Sequence, residues 1–406
     1  MLIAFLADLH QGYRAGRRVE EQSKVNLREL DGYRAFEAIV DDMLTVEDLR
    51  TLIIGGDIFH TPHPSVRTVL FVQRQFRRLS DAGFSIYALA GNHDVTDIRA
   101  DLADSLLLHD PDRRIYSHID PYVRYEVAPD VYVHLVSHHM YSEQSATMSQ
   151  VRPVDGAVNI LSTHGSIYSP LTQLQLRTND APREVVIPQH VYEAGWDYVM
   201  LGHIHERQYV QDGIYYNGSI IRRGFSDGVT ELGRGWTLFE LDSSGKFTAH
   251  PRTVAQRPQV DLPAIDAAGL SAAELTDALV DNLTATRTAG GVFIPESAPI
   301  LRQWIRNLTP AQHYGMDAAR VQEASSHAFS YAQEKQWAVL AKDRDEKAAD
   351  SPENGYTGTD MVQVFQQWSQ DSEVLSTLQQ DTREQVERQT EEFVRLGQDA
   401  MLDKEV

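Results

Sequence analysis

Seven side chains of metal-binding type recur in five short segments. They are Asp8 and His10 in DLH, Asp57 in GGDIFH (Gly55–His60), Asn92 in GNHD (Gly91–Asp94), His164 in THG (Thr163–Gly165), and His203 and His205 in GHIH (Gly202–His205). Nitrogen and oxygen donors of this kind suit manganese, iron or zinc acting on hard oxygen substrates, of which phosphate is the natural one. The i and i+2 spacing in DLH and HIH places both end side chains on one face of an extended segment, so each motif can deliver two groups to one cluster. Asp57, behind Gly55 and Gly56 at a strand end, can place one oxygen on each of two ions. Bridging carboxylates hold ions ~3.5–4 Å apart, a separation that stabilises both the attacking and the leaving oxygen in phosphoryl displacement. Each motif alone is a weak signal; their conjunction carries the inference.

The elements that must position these groups are legible as apolar runs. Strand candidates are Leu2–Ala7, Thr51–Ile54, Phe84–Leu89, Val131–Val136, Val158–Ser162 and Asp197–Leu201, and every motif follows one of them. Loops at strand C-termini are where α/β folds build sites. Gly32–Leu44 and Ser65–Leu79 carry apolar residues at three- and four-residue spacing and predict helices packed on a sheet. After Gly202, Gln208–Val210, Ile214–Tyr216, Trp236–Leu241 and Phe247–His250 read as short strands, which predicts a second, largely antiparallel sheet. Ser271–Leu283 opens with a capping box, Ser271 with Glu274, and begins a small mixed unit. The expected organisation is a domain over 1–255, a smaller unit over 256–342, a polar linker over 343–359 and a helical region over 360–406. Apolar positions in that last region either fold back on the chain or dock on a partner.

Composition bounds the chemistry. The chain of 406 residues has no cysteine, which excludes disulfides, thiolate zinc sites and cysteine nucleophiles. No apolar stretch approaches the ~20 residues of a membrane helix, so no membrane association is expected. A net charge of -21 opposes broad adhesion to nucleic acid, although residues 351–406 alone hold 4 basic and 12 acidic side chains. Divalent ions at a site add positive charge that this tally omits. Arg17, Arg18, Lys24, Arg222 and Arg223 either contact duplex phosphates or form a solvated surface. His138 and His139 follow a strand and are expected in structural or rim roles.

The five motifs, in this order, resemble those of the calcineurin-like metallophosphoesterases: DxH, GD, GNHD or GNHE, an isolated His, and GHxH. More narrowly, GDIFH, the stretch LDGYRAFEAIV, His63–Ser65 and YNGSIIRRGF at Tyr216–Phe225 are similar to SbcD-type nuclease subunits, and RPQVDL at Arg257–Leu262 resembles the entry to that family's capping domain. The resemblance implies an α/β fold, a four-layer α/β/β/α sandwich with a small α+β capping, DNA-binding domain and a helical C-terminal region that binds an ATPase partner. It implies two Mn²⁺, with Fe²⁺, Zn²⁺ or Mg²⁺ as alternatives. One ion would take Asp8, His10, Asp57 and His205, the other Asp57, Asn92, His164 and His203. His93 would be the catalytic acid, His60 a supporting group beside it, and Asp94 a brace. The activity implied is 3′ to 5′ exonuclease action on duplex DNA with endonuclease action on single strands, and the runner-up is a phosphatase or small-molecule phosphodiesterase. Implied partners are DNA, an SMC-like ABC ATPase of the SbcC type and a second copy of the chain. The implied setting is the cytoplasm, at the nucleoid, or the host cytoplasm for a phage protein.

Overall fold

The computed structural model describes residues 1–95, 104–141, 149–169, 174–175, 185–228, 230–287 and 293–338. The chain divides into two compact units, Met1–Gln259 with Pro295–Ala298, and Val260–Ile294 with the residues from Pro299 onward. The first unit thus ends at Gln259 and not at residue 255, and it recovers a short strap from later in the chain. Arg257 explains the strap: its buried guanidinium donates to the carbonyls of Ala298 (2.8 Å) and Pro295 (2.7 Å). The expected linker at 343–359 and helical region at 360–406 lie outside the described residues.

The first unit is built on two six-stranded sheets. One contains β1 (Leu2–Leu6), β2 (Thr51–Ile54), β3 (Ser85–Leu89), β4 (Ile115–His118), β13 (Gly235–Leu241) and β14 (Phe247–Thr253), ordered β14–β13–β1–β2–β3–β4. The other contains β5 (Tyr122–Ala128), β6 (Val131–Val136), β7 (Val158–His164), β10 (Tyr198–Gly202), β11 (Gln208–Gln211) and β12 (Ile214–Tyr216), ordered β11–β12–β10–β7–β6–β5. A two-stranded ribbon joins β8 (Tyr168–Ser169) to β9 (Leu174–Gln175).

The strands after Gly202 therefore do not form a sheet of their own. β13 pairs antiparallel with β1, Leu2 opposite Glu240, whereas β12 runs parallel to β10. Short-range turn signals specify local hairpins, but the apolar faces of β1 and β10 select the partners.

Period-two alternation sorts β1 between two cores. Ala4 and Leu6 join Phe36, Ile39, Val72 and Phe76 of α1 (Leu27–Thr45) and α2 (Val66–Asp81). Ile3 and Phe5 turn the other way, into a core with Val133, Leu135, Ile160 and Met200 of the second sheet. Beyond that sheet, Leu161, Val199 and Leu201 pack against Val191 and Tyr192, at the end of the short helix α3 (Gln189–Tyr192). The result is a four-layer α/β/β/α sandwich. Strands buried on both faces read as continuous apolar runs, which is why β1, β2 and β10 are conspicuous in the sequence.

α1 starts at Leu27, ahead of the expected Gly32, because its first turn is buried through polar residues that break the apolar spacing. Arg28 donates to Asp31 (2.6 Å) and to the Arg222 carbonyl (2.5 Å), and Glu29 accepts from Arg14 (2.8 Å) and Tyr33 (2.6 Å). Asp31 also accepts two bonds from Arg257, at 2.7 and 2.8 Å. One carboxylate thus holds two buried guanidiniums.

The second unit carries β15 (Gln259–Asp266) from Val260 on, α4 (Ala272–Ala285), β16 (Ile300–Leu308), α5 (Pro310–Gly315), α6 (Ala318–Ala324) and β17 (Ser330–Trp337). The capping box at Ser271 and Glu274 is formed. Leu275, Leu279 and Leu283 of α4 pack on Leu301 and Ile305 of β16.

Replacing Asp31 by Ala strands two buried cations, and removal of one partner of a buried pair costs about 3–5 kcal/mol. The Asp31→Ala chain is expected to unfold at clearly lower denaturant than the wild type, whereas Arg34→Ala, which breaks an exposed pair with Glu296, should shift the midpoint little. Equal midpoints for Asp31→Ala and the wild type would contradict the clamp.

Candidate metal centre

β1, β2 and β3 are parallel neighbours in one sheet, as are β7 and β10 in the other, so each group's following loops emerge together. Asp8 and His10 follow β1, Asp57 follows β2, Asn92 and His93 follow β3, His164 ends β7, and His203 and His205 follow β10. All seven expected donors come together, and all are buried except His205, which is partly buried.

The DLH and HIH segments are not extended, which corrects the spacing argument. Asp8 (φ 53°), His10 (φ 42°), Asp57 (φ 53°) and His203 (φ 100°) all have positive φ. Each such conformation costs of order 1–3 kcal/mol and persists only where surroundings hold it. Here backbone bonds between loops do so: Asp8 N–H donates to Gly56 O (3.1 Å), His10 N–H to Asp57 O (2.9 Å) and Gln11 N–H to Ile58 O (2.9 Å). Both Asp8 carboxylate oxygens accept from the His203 N–H, at 3.0 and 3.1 Å, which joins the two sheets.

Two glycines make the approach feasible. A Cβ at Gly56 would stand 2.6 Å from His164 Nδ1, and one at Gly91 would overlap Asp57 Oδ1 and stand 2.5 Å from the Asp57 nitrogen. Asp94 fastens the same two loops. Its carboxylate accepts from the backbone N–H of Ile58 (3.2 Å), Phe59 (3.0 Å) and Gly91 (3.0 Å). Burial, with Asp57 nearby, pushes its pKa up to about 6.

At the centre, Asp57 Oδ2 lies 3.5 Å from His10 Nε2 and 3.4 Å from His164 Nε2. Asp57 Oδ1 accepts from the His93 N–H (2.9 Å). On one side, His10 Nε2 is 3.1 Å from His205 Nε2, which is 3.9 Å from Asp8 Oδ1. On the other, Asn92 Oδ1 is 2.9 Å from His164 Nε2 and 3.2 Å from His203 Nδ1. Asp8, His10 and His205 form one compact donor group, and Asp8, Asp57 and His164 another.

These residues fit divalent ions on their own chemistry. His164 donates Nδ1–H to the Gly55 carbonyl (2.8 Å), which leaves Nε2 facing Asn92 Oδ1 and Asp57 Oδ2, two lone-pair donors. Acceptors facing one another at such distances call for a shared cation. Burial drives His10 and His203 well below the usual imidazole range, with Arg223 reinforcing it at His10 and His164 at His203, which keeps both neutral as ligands must be. Burial opposes ionisation of Asp57, but His164, His93 and His10 override it and hold it well below the usual carboxylate range. Burial opposes protonation of His164 too; Asp57 wins and pushes it up to about 9, so Nε2 takes up a proton where a metal ion would have to displace it. The buried Nε2 of His203 makes no hydrogen bond.

His93 donates Nδ1–H to the His60 carbonyl (2.7 Å), and the two rings stack at 5.2 Å. His10, His60 and His93 form a third compact group at the edge of the centre. His138 is buried beside the rings of His164 and His203, with Nδ1 at 3.2 Å from the His164 carbonyl. Arg17 and Lys24 are exposed. Arg223 lies against the His205 ring, 2.8 Å from Nδ1.

Asp227 was missed by sequence reasoning. Its Oδ1 is 3.0 Å from His205 Nδ1, and His205 with Arg223 overcomes the effect of burial and holds the carboxyl below its usual range. A Ser-Asp-Gly turn ordinarily exposes its aspartate, so only its place just beyond YNGSIIRRGF signalled a role.

The calcineurin-like phosphoesterase family profile matches residues 1–207. The chain is 25% identical over 257 residues to the DNA double-strand break repair protein Mre11 of Methanocaldococcus jannaschii, covering 60% of this chain and 63% of that one. It is 29% identical over 264 residues to Mre11 of Haloferax volcanii, covering 63% and 53%. A 53-residue stretch, 13% of each chain, is 36% identical to the uncharacterized metallophosphoesterase YhaO of Bacillus subtilis. The chain thus spans between about half and two thirds of the length of the Mre11 relatives it matches.

The loop packing carries its own test. Gly91→Ala must push Asp57 away from its place between His10 and His164, so the variant is expected to lose most Mn²⁺ uptake in equilibrium dialysis. Gly32→Ala, on α1, where a Cβ meets only ordinary contacts at 3.8 and 3.9 Å, should keep it. Undiminished uptake by Gly91→Ala would contradict the close packing.

Proposed function

Because the chain belongs to the calcineurin-like phosphoesterase family, we propose that it is a manganese-dependent DNA nuclease that hydrolyses phosphodiesters at duplex ends, 3′ to 5′, and within single strands. The observation that carries this reading is the position of Asp57 Oδ2 between the His10 and His164 nitrogens. Asp8, His10, Asp57 and His205 would hold one ion and Asp57, Asn92, His164 and His203 the other. Ions bound there supply Lewis-acid charge and lower the pKa of water to ~7. The chain's own residues do the rest. Asp57 keeps the two donor groups in register, and Asp94 fixes the loops that carry it. His93, with Nδ1–H given to the His60 carbonyl, directs Nε2 to hold a proton at the leaving sugar oxygen or to offset charge on the phosphate. His60 supports this by ring stacking.

The relatives named for DNA double-strand break repair favour a polynucleotide over a small phosphoester. By its resemblance to SbcD-type subunits the chain would work with an SMC-like ATPase of the SbcC type, bound through residues 360–406, and as a homodimer. Residues 256–342 would be its DNA-contacting cap, and the setting would be the cytoplasm, at the nucleoid. Among the described residues no helix is long and apolar enough to cross a membrane.

The test is degradation of end-labelled duplex DNA in Mn²⁺, beside turnover of p-nitrophenyl phosphate and cyclic nucleotides. Wild type should shorten the DNA, His93→Ala should bind metal and lose at least ~100-fold in rate, and monoester turnover should be slight. Rapid turnover of small phosphoesters with intact DNA, even with an ATPase partner added, would assign the site to a phosphatase or small-molecule phosphodiesterase.

A further inference from the structure

Within the metal centre just described, the two donor groups are held from behind in different ways. His164 gives its outer N–H to a neutral backbone carbonyl, that of Gly55. His205 faces a carboxylate: Asp227 Oδ1 is 3.0 Å from Nδ1, and both side chains are nearly buried. With Nδ1–H donated outward, the lone pair sits on Nε2, the atom that approaches His10 and Asp8.

The loop bearing Asp227 is tied to the HIH segment at both ends. Asp227 Oδ2 accepts from the Arg223 N–H (2.7 Å). The buried Arg234 guanidinium donates to the His205 carbonyl (2.6 Å), to Ser219 Oγ (2.6 Å), to the Gly228 carbonyl (3.3 Å) and to the Asp227 carbonyl. A second charge bears on the same ring, because the Arg223 guanidinium lies 2.8 Å from Nδ1 and 3.1 Å from Nε2 and would oppose a cation at Nε2. Asp227 Oδ2 is 3.9 Å from Arg223 Nε and offsets it.

We propose that Asp227 is a positioning residue for His205: it fixes the ring's tautomer and direction and neutralises Arg223, so the ion completed by His205 depends on the 219–228 loop while the other does not. This rests on the metal-centre reading. A carboxylate behind a ligating imidazole fixes its orientation and raises its basicity, and losing such a partner typically weakens metal affinity ~10–100-fold. The two sites are therefore unequal.

The experiment titrates Mn²⁺ into the full-length, chelator-stripped chain and reads free Mn²⁺ by electron paramagnetic resonance. Wild type should take up two ions. Asp227→Asn, which keeps the volume and an acceptor for the Arg223 N–H, should weaken one ion by ~10–100-fold and leave the other unchanged. In a double-mutant cycle, Asp227→Asn added to His205→Ala should cost nothing further. Two ions weakened alike, two ions unaffected, or additive losses in the double variant would each overturn the proposal while leaving the nuclease reading intact. A wild-type chain that takes up no Mn²⁺ would overturn both.

Discussion

One buried carboxylate oxygen stands beside two groups of candidate metal ligands. Asp57 Oδ2 stands nearly equidistant from the His10 and His164 imidazoles, one carried by each sheet of the sandwich. That position is available only if loops from β1, β2, β3, β7 and β10 approach more closely than ordinary side chains permit. Glycine at positions 56 and 91 removes the obstruction, and the Asp8 carboxylate reaching the His203 N–H draws the sheets together. The apolar core between the sheets, with Ile3 and Phe5 against Val133 and Met200, fixes their spacing.

The arrangement is costly by itself. Four residues of the cluster hold positive φ, two carboxylates are buried within it, and its imidazoles are pressed toward opposite protonation states. Each term is tolerable because the chain supplies fixed backbone bonds around it and because cations would relieve the charge. Strain collected at one place and offset by a rigid surround is the usual condition of a working site. Away from the cluster the same chain satisfies its buried charges internally, as Asp31 does for Arg28 and Arg257.

Much of this was legible in the sequence. Apolar runs marked β1, β2, β3, β6, β7 and β10, and the residue types after them marked the donors. What was hidden had physical reasons. β5 (Tyr122–Ala128) is an edge strand that mixes Arg124 and Glu126 with half-buried apolar residues, so its pattern is weak. The first turn of α1 is buried through Arg28 and Glu29, which apolar periodicity cannot register. The partners of β12 and β13 depend on contacts distant in sequence. Asp227 looked like a turn residue because nothing local reveals that its loop folds back onto His205. The left-handed backbone of Asp8 and His10 was likewise invisible, since it is imposed by the adjoining loop after β2.

The most direct test of a shared Asp57 is the magnetic coupling of bound manganese. Electron paramagnetic resonance of the chain loaded with two equivalents of Mn²⁺ should show an exchange-coupled pair, and Asp57→Ala should lose both the coupling and tight binding of at least one ion. Two tightly bound but uncoupled ions in the wild type, or an unchanged coupled pair in Asp57→Ala, would contradict a centre built around that carboxylate.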